Sequence, residues 1–145
     1  MGNKNAAGVP KALVKAFWLN FLWINVSEVA RYVLVVRPML HEAFPGQDEV
    51  GAMSASIFAV WGLWDLILIC AATGFYWLWL NAFGNRTWQV LAAGSIFTVS
   101  VFGLLWLGIA NMGLAPLNLA VAALPLAWLE QLIACAIVAW AIQRN

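Results

Sequence analysis

The sequence predicts an all-α integral membrane protein, a four-helix up-down-up-down transmembrane bundle. Hydrophobic residues make up 65% of the 145-residue chain and charged residues only 9%, whereas soluble domains are about a quarter charged. The mean hydropathy is +0.88. Four apolar runs, each about the 20 residues needed to cross about 30 Å of hydrocarbon, are separated by short segments rich in turn-forming residues. A soluble bundle of buried helices is disfavoured because so few charges are present to cover its surface.

The first two spans are predicted at about residues 15–36 and 54–80. The first run is too long for the apolar part of a signal peptide, and no small-x-small cleavage site follows it, so we expect it to be retained as a span. A loop from Arg37 to about Ala52 is expected between the two, because Pro38, Pro45 and Gly46 interrupt helices.

The last two spans are predicted at about residues 88–110 and 119–142, after short connections at 81–87 and 111–118. The whole chain, 1–145, is therefore expected to form one four-span domain. Small side chains allow transmembrane helices to approach closely. On the fourth span they share one stripe, formed by Ala120, Ala123, Ala127, Ala134 and Ala141.

The distribution of basic residues predicts the orientation. In the up-down topology one side of the membrane holds only Arg37, next to several acids. Cytoplasmic loops carry the excess of Lys and Arg, so both termini are predicted to be cytoplasmic and the protein to be a multi-pass inner-membrane protein. The other side holds Lys4, Lys11, Lys15, Arg86 and Arg144.

Ionisable residues inside the spans are the main functional signal. Each costs roughly 2.5–3.5 kcal/mol at the centre of a transmembrane helix, so they should face inward and find partners. At about 1.5 Å per residue, all of them fall in one thin layer near the midplane. The layer consists of Glu28 and Arg31 on the first span, Asp65 on the second and Glu130 on the fourth.

The charges of this layer do not balance. Three carboxyl groups face one guanidinium, so some carboxyls are protonated or a cation is bound. We expect Glu28 or Asp65 to pair with Arg31, and Glu130 to be the protonated member. Glu28 and Arg31 are spaced i,i+3 and can pair along the helix. A purely structural ion pair that sets helix register is the alternative.

Deep tryptophans accompany the polar layer. Aromatic walls around a few polar groups are typical of small-molecule sites and suit a cationic head group, although tryptophans that face lipid or fill the core are an alternative. We predict a cavity toward the outer side, with the polar layer as its floor. The predicted ligand-binding residues are Glu28, Arg31, Trp61, Trp64, Asp65, Trp106, Trp128, Glu130 and Gln131.

These patterns favour a protein that binds or translocates a small ligand, such as an amphipathic lipid, a cation or a proton-coupled solute. One alternative is a non-catalytic assembly subunit of a larger membrane complex. Another is an isomerase- or hydratase-like enzyme that uses a protonated intramembrane carboxyl. The expected partners are the bilayer, a lipid or small-molecule ligand, and other copies or subunits of a membrane complex.

Other functions lack a motif in this sequence. No nucleotide-binding glycine motif or nucleophile elbow is present, so we assign no catalytic residue and no cofactor. His41 is the only histidine, and we predict no metal site. No basic cluster indicates nucleic-acid binding.

Overall fold

A computed structural model describes residues 10–47, 50 and 52–144, and the regular structure of this part of the chain is entirely helical. Each of its four helices is long and apolar enough to cross a membrane. This confirms the predicted all-helical, four-helix architecture. The helices are α1 (Lys11–Ala43), α2 (Ala55–Phe83), α3 (Thr87–Asn111) and α4 (Leu117–Gln143).

Helix α1 continues well past the end that the sequence predicted. The expected loop from Arg37 is wrong as far as Ala43, because the helix runs through Pro38. A π-helical turn, Tyr32–Val36, directly precedes this proline. Proline lacks an N–H and its ring clashes with the carbonyl four residues earlier, and a wider turn accommodates both defects.

Helix α3 also contains a π-helical turn, at Val99–Gly103. Just before it, the Thr98 hydroxyl donates a hydrogen bond to the Gly94 carbonyl at 2.8 Å, a back-bond that bends helices. Gly94 is where α3 comes closest to α4. A Cβ atom at this glycine would lie 2.7 Å from Cδ2 and 3.2 Å from Cα of Leu132.

Helix α4 packs against α1, α2 and α3, and its contacts with α1 and α3 are the most extensive in the bundle. The predicted alanine stripe is buried along its whole length, which confirms that small side chains form the packing face. Polar bonds add to these contacts. The Asn20 side chain of α1 donates to the Thr73 hydroxyl of α2 at 3.1 Å, and Trp128 of α4 donates to the Ser95 hydroxyl of α3 at 2.9 Å.

Candidate functional site

Arg31 of α1 is the centre of the polar layer. One guanidinium nitrogen, Nη2, pairs with Oε1 of Glu28 on the same helix. The other, Nη1, lies 3.2 Å from Oε2 of Glu130 on α4. The Ser27 hydroxyl donates to the same Glu130 oxygen. The side chains of Arg31 and Glu28 are only 10% exposed and that of Glu130 only 2%, so the ion pairs lie inside the bundle.

Hydrogen bonds extend this arrangement across a third helix. The Gln131 amide donates to the second oxygen of Glu130 at 3.0 Å. The Tyr76 hydroxyl of α2 in turn donates to the Gln131 amide oxygen at 2.8 Å. A continuous network therefore runs from Tyr76 on α2 through Gln131 and Glu130 on α4 to Arg31 and Glu28 on α1. A network in which each buried polar group has a partner fixes the relative positions of the helices.

Asp65 of α2 is the acidic residue of the layer that forms no ion pair among the described residues. It is 4% exposed, and its Oδ1 atom has no hydrogen-bond partner in that part of the chain. The charged groups that act on it electrostatically are Glu28 and Arg31. The predicted pairing with Arg31 thus holds for Glu28. The second carboxylate that pairs with the Arg31 guanidinium is that of Glu130, which the sequence did not predict.

A cavity of about 200 Å³ lies next to the Glu28–Arg31 pair, between α1, α2 and α3. Its walls are mainly aromatic. The Tyr32 and Trp61 rings meet edge to face with centroids 5.0 Å apart, and the Arg31 guanidinium lies 5.6 Å from the centroid of Phe102. Five of the nine predicted site residues line this cavity, namely Glu28, Arg31, Trp61, Trp64 and Trp106.

A second recess, of about 450 Å³, lies on the other side of Arg31, between α1 and α4. Its polar lining consists of Ser27, Arg31 and Glu130, and the rest is apolar. Exposed aliphatic side chains such as Leu34 and Leu129 form its rim. Arg31 therefore separates an aromatic cavity inside the bundle from an apolar groove on its surface.

The remaining predicted residues occupy different places. Gln131 is fully buried and is connected to the site by its hydrogen bond to Glu130. Trp128 is half exposed and lines neither the cavity nor the groove.

The sequence patterns did not predict three residues of the site. Tyr32 and Phe102 line the aromatic cavity, and Tyr76 donates a hydrogen bond to Gln131. Tyr32 follows Glu28 by four residues, and side chains at that spacing share a helix face. Tyr76 follows Asp65 by eleven residues, which is three helical turns along the same face. Helical spacing from the charged residues was thus the available signal for both tyrosines.

Among the described residues, no group of three His, Cys, Asp or Glu side chains is arranged to hold a metal ion. Comparison with protein-family models, curated proteins and solved structures finds none to which this chain is significantly similar.

Proposed function

We propose that this protein spans an inner membrane as an up-down-up-down bundle with both termini in the cytoplasm, and that it binds a small amphipathic molecule with a cationic head. The ligand's head occupies the cavity between α1, α2 and α3. The observation that carries the proposal is the position of the Glu28–Arg31 pair in the wall of a cavity whose other walls are largely aromatic.

The charges favour a cationic head group. Arg31 is engaged by both Glu28 and Glu130, while Asp65 beside them has no cationic partner among the described residues. A ligand cation adjacent to this layer offsets the excess of carboxyl groups. The rings of Trp61, Trp64 and Trp106 stabilise it further, because the faces of aromatic rings attract cations.

The size of the cavity favours an amphiphile over a compact solute. Its volume of about 200 Å³ is below the roughly 300–1,000 Å³ of sites that enclose a drug-sized ligand. It therefore suits a head group whose apolar chain lies outside. Trp64 is 53% exposed and marks the edge of the cavity, where a chain passes into the surrounding hydrocarbon.

The contacts of the polar layer give no support to a pure assembly role. Both ion pairs of Arg31 form within one chain, so Arg31 needs no second subunit to supply its carboxylates. Asp65, whose buried Oδ1 has no partner in the described part of the chain, does not line the cavity, so a ligand cation attracts its carboxyl through the Coulomb interaction and not by direct contact.

The test is calorimetric titration of the protein in maltoside micelles with dodecyltrimethylammonium, and with uncharged dodecanol of the same chain length. We expect saturable binding of one cationic amphiphile per chain and no saturable binding of dodecanol. Trp106→Leu should weaken binding about tenfold, because it removes a cation–π wall. Asp65→Asn should weaken it as well.

Trp18→Leu is the matched control, because Trp18 is 62% exposed and lies outside the lining of the cavity. Circular dichroism establishes that each variant is folded. Equal heats for the two amphiphiles, or unchanged affinity in Trp106→Leu, would overturn the proposal.

A further inference from the structure

A separate pocket lies far along the helices from the polar layer, where α3 begins and α4 ends. Its volume is about 270 Å³, and its polar lining includes Arg86, Thr87 and Gln143, with Trp140 as its aromatic wall. The Asn85 side chain donates a hydrogen bond to the Ala139 carbonyl at 2.7 Å. This bond holds the turn between α2 and α3 against the end of α4, and so sets Arg86 beside the pocket.

Two cationic residues lie over the Trp140 ring, and a third lines the same pocket as Trp140. The Lys15 ammonium lies 4.2 Å from the centroid of its ring, and the Arg144 guanidinium lies 5.2 Å from it. Arg86 lines the same pocket. These cations come from α1, from the α2–α3 turn and from the end of α4, so the fold brings together charges that are distant in sequence.

No carboxylate of the described residues neutralises this cluster. Neither of the two ion pairs among the described residues involves Lys15, Arg86 or Arg144. The stretches that supply the three cations, 10–27, 77–98 and 131–144, contain no Asp or Glu. A cluster of like charges is unfavourable unless an anion is bound or solvent screens it, and the Trp140 ring offsets only part of the repulsion.

The surroundings of the pocket select the kind of anion. It opens at the ends of two apolar helices, and Trp88 and Leu91, which follow the lining residues Thr87 and Val90 in sequence, are exposed. In a membrane this position is the headgroup level, with hydrocarbon directly adjacent. A soluble anion would make no use of these apolar neighbours, whereas the acyl chains of a lipid would pack on them.

We infer that this pocket, lined by Arg86 and Trp140 and flanked by Lys15 and Arg144 over the Trp140 ring, binds the headgroup of an anionic phospholipid such as phosphatidylglycerol. The guanidinium of Arg86 donates to the phosphate diester, and the charges of Lys15 and Arg144 add to the attraction. Basic pockets between transmembrane helices recognise anionic headgroups in this way. The site is distinct from the cavity at Glu28 and does not depend on the ligand proposed there.

The experiment is native mass spectrometry of delipidated protein offered equal amounts of phosphatidylglycerol and phosphatidylcholine. We expect a bound phosphatidylglycerol in clear preference to phosphatidylcholine. Each cation near the membrane surface contributes about fivefold to the affinity for an anionic lipid. Arg86→Gln should therefore weaken phosphatidylglycerol binding about fivefold, and Arg86→Gln with Arg144→Gln about 25-fold.

The matched control is Lys11→Gln with Arg37→Gln, which removes the same net charge from two exposed residues outside the Trp140 cluster. It should keep the preference for phosphatidylglycerol. All four residues are exposed, so none of these substitutions disturbs the core. Binding of dodecyltrimethylammonium should be unchanged in Arg86→Gln, which separates this proposal from the previous one.

A second arm adds sodium phosphate or glycerol phosphate to protein that already has phosphatidylglycerol bound. We expect neither to displace phosphatidylglycerol at millimolar concentration, because neither has acyl chains. Displacement by these soluble anions would overturn the lipid assignment in favour of a soluble phosphate compound. An equal loss of binding in the control double variant would show that only net charge matters, and would overturn the site.

Discussion

At the scale of single residues, the guanidinium of Arg31 connects the charged residues of the polar layer. Its two terminal nitrogens point to different carboxylates, one on its own helix and one on α4. A planar fork of fixed donors can hold two partners at once, which a single ammonium group does less well. The guanidinium thereby links α1 to α4 and also borders the aromatic cavity.

The sequence predicts part of this arrangement and leaves the rest open. The i,i+3 spacing of Glu28 and Arg31 predicts their pairing, and matched depth brings Glu130 into the same layer. Which of two carboxylates on neighbouring helices the guanidinium reaches depends on side-chain rotamers and on helix rotation. Neither is encoded in hydropathy, so the sequence indicated Glu28 or Asp65 at the guanidinium and did not predict that Glu130 is also bound there.

We predict that Arg31→Gln lowers the free energy of unfolding by about 3 kcal/mol, because removing one member of a buried ion pair leaves the others uncompensated. The double variant Arg31→Gln, Glu130→Gln should be less unstable than the sum of the two single variants, since their effects are coupled. Equilibrium unfolding with dodecyl sulfate in mixed micelles measures both quantities.

Arg37→Gln serves as the control for this cycle. Arg37 lies on the same helix, is exposed and forms no ion pair among the described residues, so its variant should be about as stable as the parent. Additive effects in the double variant would contradict the geometry described for Arg31 and Glu130.

At the scale of helices, hydropathy predicts where apolar segments lie better than where helices end. Pro38 and the Pro45–Gly46 pair indicate a break after residue 36, and the helix nevertheless continues to Ala43. Its π-helical turn, Tyr32–Val36, begins directly after Arg31 and places Tyr32 against Trp61. The same local distortion that accommodates Pro38 therefore shapes a wall of the cavity, a connection that sequence patterns do not reveal.

The close contact of α3 with α4 at Gly94 can be tested by substitution. Gly94→Val should destabilise the protein by about 1–3 kcal/mol, because the added atoms overlap the backbone and side chain of Leu132 and overpacking costs this much. Thermal unfolding of the protein in maltoside micelles measures the effect.

Gly108→Ala is the matched control on the same helix. A Cβ atom at Gly108 would meet nothing within 4 Å, and alanine favours helix over glycine by up to about 1 kcal/mol. This variant should unfold at the same temperature as the parent or slightly above it. Equal losses for Gly94→Val and Gly108→Ala would show that the destabilisation does not depend on the close approach to α4.

At the scale of the whole molecule, the two proposed sites lie toward opposite ends of the helices. The headgroup pocket includes cations from the start of α1, the α2–α3 turn and the end of α4. The aromatic cavity lies toward the other ends of α1 and α3, because it includes Val36 and Ile109. Basic residues therefore mark one end of the bundle and the aromatic cavity lies toward the other, and the positive-inside rule predicts that the basic end is cytoplasmic.

This orientation predicts the outcome of cysteine labelling. In a background with Cys70→Ala and Cys135→Ala, Gln47→Cys and Leu114→Cys should react with a membrane-impermeant maleimide in intact cells, because both connections lie opposite the charged end. Gln143→Cys, beside the proposed headgroup pocket, should react only after the cells are opened. Replacing Lys11, Lys15, Arg86 and Arg144 of the charged end with Gln should reduce this difference, since the distribution of Lys and Arg sets the orientation. Labelling of Gln143→Cys in intact cells would invert the topology. It would place the basic pocket in the outer leaflet and the aromatic cavity toward the cytoplasm.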